Sequence, residues 1–319
     1  MLMDADSRQL RGIGMTLELL RNRWTYPALV ALRSDPLSPA RLLDRINEGN
    51  ARNADLVGPR ILHEKTLFTT LHRMEAEGLI IRKTDAVSGN SVAPRDFTPM
   101  SRGLLAALHP VAAWAGDHRD QLTASLRKHR GLPQTDTDLD PPKAAEPASL
   151  TPEQDYWRGV GMTLVILRLR WGFSVISQLS RGPQHPTSIT AEINAGIARN
   201  RDITGNRTLS EKVLWDTLHR LLHAGLINHQ PRAGQFASTA RCALTASGYA
   251  LLGALTPVGH WAIEHEELLT GIIRRRRGLA RQADPQETSD ELTPHQITPS
   301  RPPSREELHG ARHHRDIPR

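Results

Sequence analysis

Residues 64–80 read EKTLFTTLHRMEAEGLI, and residues 211–227 read EKVLWDTLHRLLHAGLI. Leu67, Leu71 and Met74 fall at i, i+4 and i+7, as do Leu214, Leu218 and Leu221. At about 100° per residue, each triplet makes one narrow apolar stripe, which predicts an amphipathic helix from about Glu64 to Glu77 and its counterpart in the second stretch. The face opposite the stripe carries Lys65, Thr69, His72 and Arg73 in the first copy and Lys212, Asp216, His219 and Arg220 in the second. Gly78 and Gly225 stand where a left-handed helix cap is expected.

The repetition extends in both directions. GIGMTLELLRNRW at 12–24 recurs as GVGMTLVILRLRW at 159–171, and INEGNARN at 46–53 recurs as INAGIARN at 193–200. FTPMSRGLLAALHPVAAWAGDH at 97–118 recurs as LTASGYALLGALTPVGHWAIEH at 244–265. Every block is displaced by 147 residues, a tandem duplication of a whole domain without net insertion. The predicted organisation is a first repeat over 8–128, an acidic Pro-rich linker over 129–155, a second repeat over 156–277 and a disordered polar tail over 278–319.

Within a repeat, Met15, Leu19 and Leu20 begin an apolar helical face that leads to Trp24, and a second helical run follows over 26–32. Pro39 and Pro186 mark the start of a third helix, with Leu42, Leu43 and Ile46 as its buried stripe and Gly49 or Gly196 as its stop. After the 64–77 helix comes a hairpin. Leu79–Lys83 faces Val92–Thr98 around Ser88-Gly89-Asn90, and Leu226–Gln230 faces Ser238–Thr245 around Arg232-Ala233-Gly234. A last helix starts after Thr98 or Thr245 and is kinked by Pro110 or Pro257. The expected fold class is therefore mainly α with small β-hairpin wings, as two tandem winged helix-turn-helix domains.

Charge points the same way. The chain has formal net charge +7 and pI about 10.1. Residues 1–128 and 156–270 each carry +4, the connector 129–155 carries −4 and residues 271–319 carry +3. Two basic modules around an acidic connector suit a polyanionic partner, although Arg-heavy composition alone would raise the total. The second helix of such a motif fits the major groove and offers polar side chains to base edges, while a wing follows the phosphates. Arg82, Lys83 and Arg95 are candidate phosphate contacts in the first wing, and Arg232 and Arg241 in the second. The segments 50–62 and 197–209 add Arg52, Arg60, Arg199 and Arg207. Each helix face could also be a plain solvated surface, but the wing and the basic balance favour groove contact. Asp216 repels phosphate but can accept from a cytosine amine, so the two copies are expected to read different half-sites or to bind unequally.

Other chemistry finds little support. His219 and His223 have metal-pair spacing, but Ala76 replaces His223 in the other copy and no third ligand is evident, so no metal and no cofactor is expected. Gly12-x-Gly14 has no third glycine and follows no strand. The lone Cys242, matched by Arg95, excludes an intrachain disulfide framework and reads as a structural strand thiol. No nucleophile, base and oxyanion site assemble, so the chain is not expected to be an enzyme. No apolar run approaches the length of a membrane span, and MLMDADSRQL is not a signal peptide, so a cytoplasmic, nucleoid-associated protein is expected.

The segments ELLRNRWTYPALVAL, EKTLFTTLHRMEAEGLIIR and FTPMSRGLLAALHPVAAWA resemble the HxlR-type winged helix-turn-helix regulators of bacteria. The second repeat keeps that family's Leu-Thr-x-x-Gly as Leu244-Thr245-x-x-Gly248 and its Trp as Trp261; Phe97-Thr98 with Gly103 is a looser match. The resemblance covers nearly all of both repeats. It implies a transcriptional regulator of double-stranded DNA, and pairing of the terminal helices, here as an intramolecular pseudo-dimer. The extra residues at 50–62 and 197–209 depart from the family's tight turn. The cysteine near the N-terminal helix by which many members sense oxidants has no counterpart here. A linker of 27 residues reaches about 30 Å, close to the ~34 Å half-site spacing, so pairing within a chain or between two chains both remain open. The competing readings are an interaction scaffold of paired winged helices and a replication-initiator-like DNA-binding protein. No small-molecule effector is indicated by the sequence.

Overall fold

Thr98 and Thr245 show how local chemistry sets the elements. Each hydroxyl donates to the carbonyl of the glycine that closed the preceding helix, Thr98 to Gly78 at 2.7 Å and Thr245 to Gly225 at 2.6 Å. Each also accepts the first free amide of the next helix, from Ser101 and Gly248. The two glycines have φ of 71° and 63°, the left-handed conformation a cap requires. One threonine therefore joins a helix end, a hairpin and a helix start.

The computed structural model describes residues 2–54, 60–83, 93–129, 151–168, 171–201, 207–230 and 241–278. It is mainly helical, with two small antiparallel hairpins. The first half contains α1 (Leu2–Leu19), α2 (Thr25–Leu32), α3 (Pro39–Arg52), α4 (Glu64–Ala76), β1 (Ile80–Arg82), β2 (Arg95–Phe97), α5 (Pro99–Ala107), α6 (His109–Asp117) and α7 (Arg119–His129). The second contains α8 (Pro152–Leu167), α9 (Gly172–Leu179), α10 (Pro186–Arg199), α11 (Glu211–His223), β3 (Ile227–Gln230), β4 (Arg241–Leu244), α12 (Ala246–Glu264) and α13 (Glu266–Arg276). The 147-residue offset carries α2, α3 and α4 onto α9, α10 and α11 residue for residue. In the hairpins Ile80 pairs with Phe97 and Ile227 with Leu244, again the same register.

Several expectations are corrected. Gly49 and Gly196 do not stop their helices; α3 and α10 run on to Arg52 and Arg199, where the Asn53 and Asn200 side-chain amides donate to the Gly49 and Gly196 carbonyls. The two prolines differ. α5 ends at Leu108 with Pro110 inside the first turn of α6, whereas α12 continues through Pro257. Each half also has one more helix than expected, α7 or α13. The end of the connector is ordered: Thr151 and Gln154 form a reciprocal capping box that starts α8 at Pro152. The Gly58-Pro59 pair, both hairpin tips and the tail beyond Gly278 lie outside the described residues.

The two halves share one core within residues 1–280. α1 lies along α12, and α8 lies along α6, so the first helix of each half packs on the late helices of the other. Small residues make this possible: a Cβ on Gly12 would stand 2.9 Å from Ala262 Cβ, and one on Gly159 would stand 2.9 Å from Ala115 Cβ. The hydrogen bonds obey the same exchange. Trp114 Nε1 donates to the Ser247 carbonyl at 3.2 Å, and Trp261 Nε1 donates to the Met100 carbonyl at 3.1 Å. Both donors and both acceptors are 147 residues apart. Further cross-half links, Arg276–Glu77 at 2.6 Å and Arg33–Glu153 at 2.6 Å, have no such twin.

Candidate nucleic-acid interface

The α4 stripe is buried as its spacing requires, with Leu67, Leu71 and Met74 at or below 1% exposure; in α11, Leu214, Leu218 and Leu221 are fully buried. Burying each such side chain stabilises by roughly 1.5–3 kcal/mol, which holds the helix against α3 and fixes what faces outward. The exposed residues of α4 are Glu64, Lys65, Thr66, Thr69, His72 and Ala76. Thr69 returns a hydrogen bond to the Lys65 carbonyl at 2.9 Å, and the His72 ring lies 3.2 Å from Arg82 Nη2 and 3.6 Å from Glu75. Lys65, Thr69 and His72 offer an ammonium donor, a hydroxyl and an imidazole on one helical surface, groups able to read the donors and acceptors of base edges.

Arg73 does not share that face. It is half-buried, and its Nη2 donates to Thr25 Oγ1 at 3.3 Å. Burial lowers its pKa; Glu77 opposes that shift, and the nearby Arg276 adds to it. The reason is rotational: Arg73 lies about 80° around the helix from Lys65, whereas Thr69 and His72 lie within about 40°. Arg220 is likewise half-buried and lines a pocket of about 270 Å³ with Leu126 and Ile166, so it turns toward α7 and α8. Lys212, Asp216 and His219 are exposed, with the His219 ring 6.1 Å from the partly buried Trp215 ring.

The hairpin arginines are the larger correction. Arg95 is 1% exposed; its Nε donates to Glu75 at 3.1 Å, and its Nη1 donates to the Ala93 carbonyl. It cannot reach a phosphate because the alternation of β2 points it inward. Arg82 grips the same carboxylate, at 2.6 Å and 2.9 Å. Burial alone would raise the Glu75 carboxyl, but the two arginines outweigh it and hold it below the usual carboxylate range. Lys83 is half exposed and paired with Asp96 at 3.1 Å. Arg241 is exposed, Arg232 lies outside the described residues, and Arg52, Arg60, Arg199 and Arg207 are exposed, with Arg52 3.5 Å from Glu48.

Sequence reasoning missed the Glu75–Arg82–Arg95 cluster, although a signal was present. Position by position, Glu75 and Arg95 become Leu222 and Cys242, so a buried ion pair in one half is matched by two apolar residues in the other. Cys242 is fully buried, and desolvation pushes its thiol up to about 11. No single described helix is long and apolar enough to cross a membrane. Comparison with protein-family models, with curated proteins and with solved structures gives no match.

Proposed function

We propose that the chain is a sequence-specific, double-stranded DNA-binding transcriptional regulator of HxlR type. In this reading each half is a winged helix-turn-helix, and the exchanged terminal helices make the chain a pseudo-dimer of its own two halves. The observation that carries the proposal is the exposed Lys65, Thr69 and His72 face of α4, on a helix whose opposite stripe is buried and whose C-terminal end leads through Gly78 into a hairpin. A second such helix, α11, stands at the same offset. The buried pairing between halves supports one rigid two-headed binder over two tethered beads. α11 carries Asp216 where α4 carries Thr69, which supports unequal half-sites, with α4 the stronger.

The test is selection from a fragmented library of the source genome at physiological salt, with Lys65→Ala/His72→Ala as control. Enrichment of a few intergenic fragments, lost in the control, is expected. Lys65→Ala should also flatten the plot of log affinity against log salt by about 1, as loss of one phosphate contact does. Uniform weak binding that the double variant leaves unchanged would refute the reading.

A further inference from the structure

A second surface has no α4 residue in its lining but shares Arg52 and Arg60 with the candidate DNA contacts. A cavity of about 480 Å³ opens between α2 and α3 of the first half and α8 of the second, within the range of small-molecule sites. Trp24, Tyr26 and Trp157 supply aromatic wall, and Tyr26 ties the two halves there by donating to the Trp157 carbonyl at 2.7 Å. Among the described lining residues seven are arginines and one, Glu48, is acidic; with Arg33 paired to Glu153 and Arg52 to Glu48, the lining keeps a cationic excess.

The walls hold polar groups without partners. Arg168 has Nε and Nη2 buried and unbonded among the described residues, as are Trp24 Nε1 and Asn50 Nδ2. All four atoms are donors on cavity-lining residues. Burial of a polar group without a hydrogen bond is costly, and native interiors carry few. Desolvation pushes the Arg168 guanidinium down to about 10. Asn53 Oδ1 is the one unbonded acceptor in the same wall and would suit a hydroxyl or N–H of a ligand.

The duplication supplies an internal control. The counterpart of Arg168 is Arg21, an exposed arginine bonded to Glu18 at 3.2 Å. Glu18 in turn corresponds to Val165, so the cavity lacks the carboxylate that the other half provides. Arg45 corresponds to Glu192, Asn50 to Ile197 and Trp157 to Leu10. Part of the lining is therefore peculiar to one half: Arg33, Arg45, Asn50 and Trp157 become Ser180, Glu192, Ile197 and Leu10, whereas five of the seven arginines and Trp24 have arginine and tryptophan counterparts.

We infer that this cavity binds a small organic anion with an aromatic body, an aromatic carboxylate, whose carboxylate sits on Arg168 and whose ring lies among Trp24, Tyr26 and Trp157. The inference does not rest on the DNA-binding reading, since binding is measured without DNA.

The experiment is titration calorimetry of the full chain with benzoate, 2-naphthoate and indole-3-acetate, each beside its primary amide. At least one acid should bind with one-to-one stoichiometry, and its amide at least about tenfold more weakly, the loss of a charge-assisted contact. Arg168→Met and Arg45→Glu should each weaken that acid about 10- to 100-fold. Arg45→Glu installs the residue the second half already has and gives up the Arg45 Nη1 hydrogen bond to the Ala31 carbonyl at 3.1 Å, so its melting temperature is measured beside its affinity. Unliganded Arg168→Met should melt no lower than the parent; if it does not fold, Arg45→Glu decides alone. No acid binding at millimolar concentration, amides that match their acids, or variants that retain full affinity would each overturn the inference.

Discussion

Replacing Glu75 by leucine separates a buried charge from its partner at a site where the molecule itself shows the alternative. Arg95 is 1% exposed and meets Glu75 at 3.1 Å, while Arg82, about a third exposed, holds the other oxygen at 2.6 Å. Glu75→Leu takes the Glu75 carboxylate away from the buried Arg95 guanidinium, which should cost about 3–5 kcal/mol. Arg95→Cys leaves Glu75 still held by Arg82 and should cost less, about 1–3 kcal/mol. The double variant recreates Leu222 and Cys242 of the second half and should fall within about 1 kcal/mol of the parent, because freeing the partly solvated Arg82 costs little. Urea unfolding followed by tryptophan fluorescence, compared at unchanged slope, yields all three values and a coupling energy of at least about 3 kcal/mol. The pH dependence follows from the same pair. The Glu75 carboxyl is held below its ordinary value, so its contribution is complete at neutral pH and is lost as pH falls below about 4.3 toward the folded-state value. The double variant should therefore lose less stability on acidification than the parent. A Glu75→Leu cost under about 1 kcal/mol, or a double variant as unstable as the two singles summed, would refute the reasoning.

Gly12→Val should destabilise by about 1–3 kcal/mol in thermal or urea unfolding, because the new Cβ meets Ala262 Cβ at 2.9 Å and the Gly259 carbonyl at 3.1 Å. Gly49→Ala, inside α3 with nothing within 4 Å of the new methyl, should instead stabilise by about 0.5–1 kcal/mol. Cys242, buried and with its thiol pushed up to about 11, should resist iodoacetamide in the native protein at neutral pH. Mass spectrometry should show alkylation only after denaturant is added; rapid native labelling would contradict the burial.

Much of the fold was legible because its signals are local. The stripe of Leu67, Leu71 and Met74 needs only helical geometry, and Gly78 with Thr98 marks the ends of the elements it separates. Exposure was less legible. Lys65 and Arg73 stand on the same polar half of α4, yet Arg73 is drawn toward Thr25 and Glu77 because a neighbouring helix covers its flank. Arg95 read as a wing cation, but its strand position points it inward onto Glu75, twenty residues away. Gly49 and Gly196 read as stops, although the carboxamides of Asn53 and Asn200 extend both helices past them.

By itself the sequence determined that one stretch is present twice at a constant offset, where most of its helices and the hairpin strands lie, and which helix in each copy turns a polar face outward. Those properties follow from periodicities of 3.6 and 2 and from a constant offset, so they need no knowledge of distant contacts. Only the tertiary structure decided that α1 crosses to α12 and α8 to α6, that Arg82 and Arg95 converge on one carboxylate, and that Arg168 is buried without one. The connector fixes no pairing, and a charge acquires its meaning from what packs against it. Equivalent residues such as Arg21 and Arg168 therefore differ in state: Arg21 is exposed beside Glu18, whereas Arg168, with Val165 in the place of Glu18, has two buried, unbonded nitrogens.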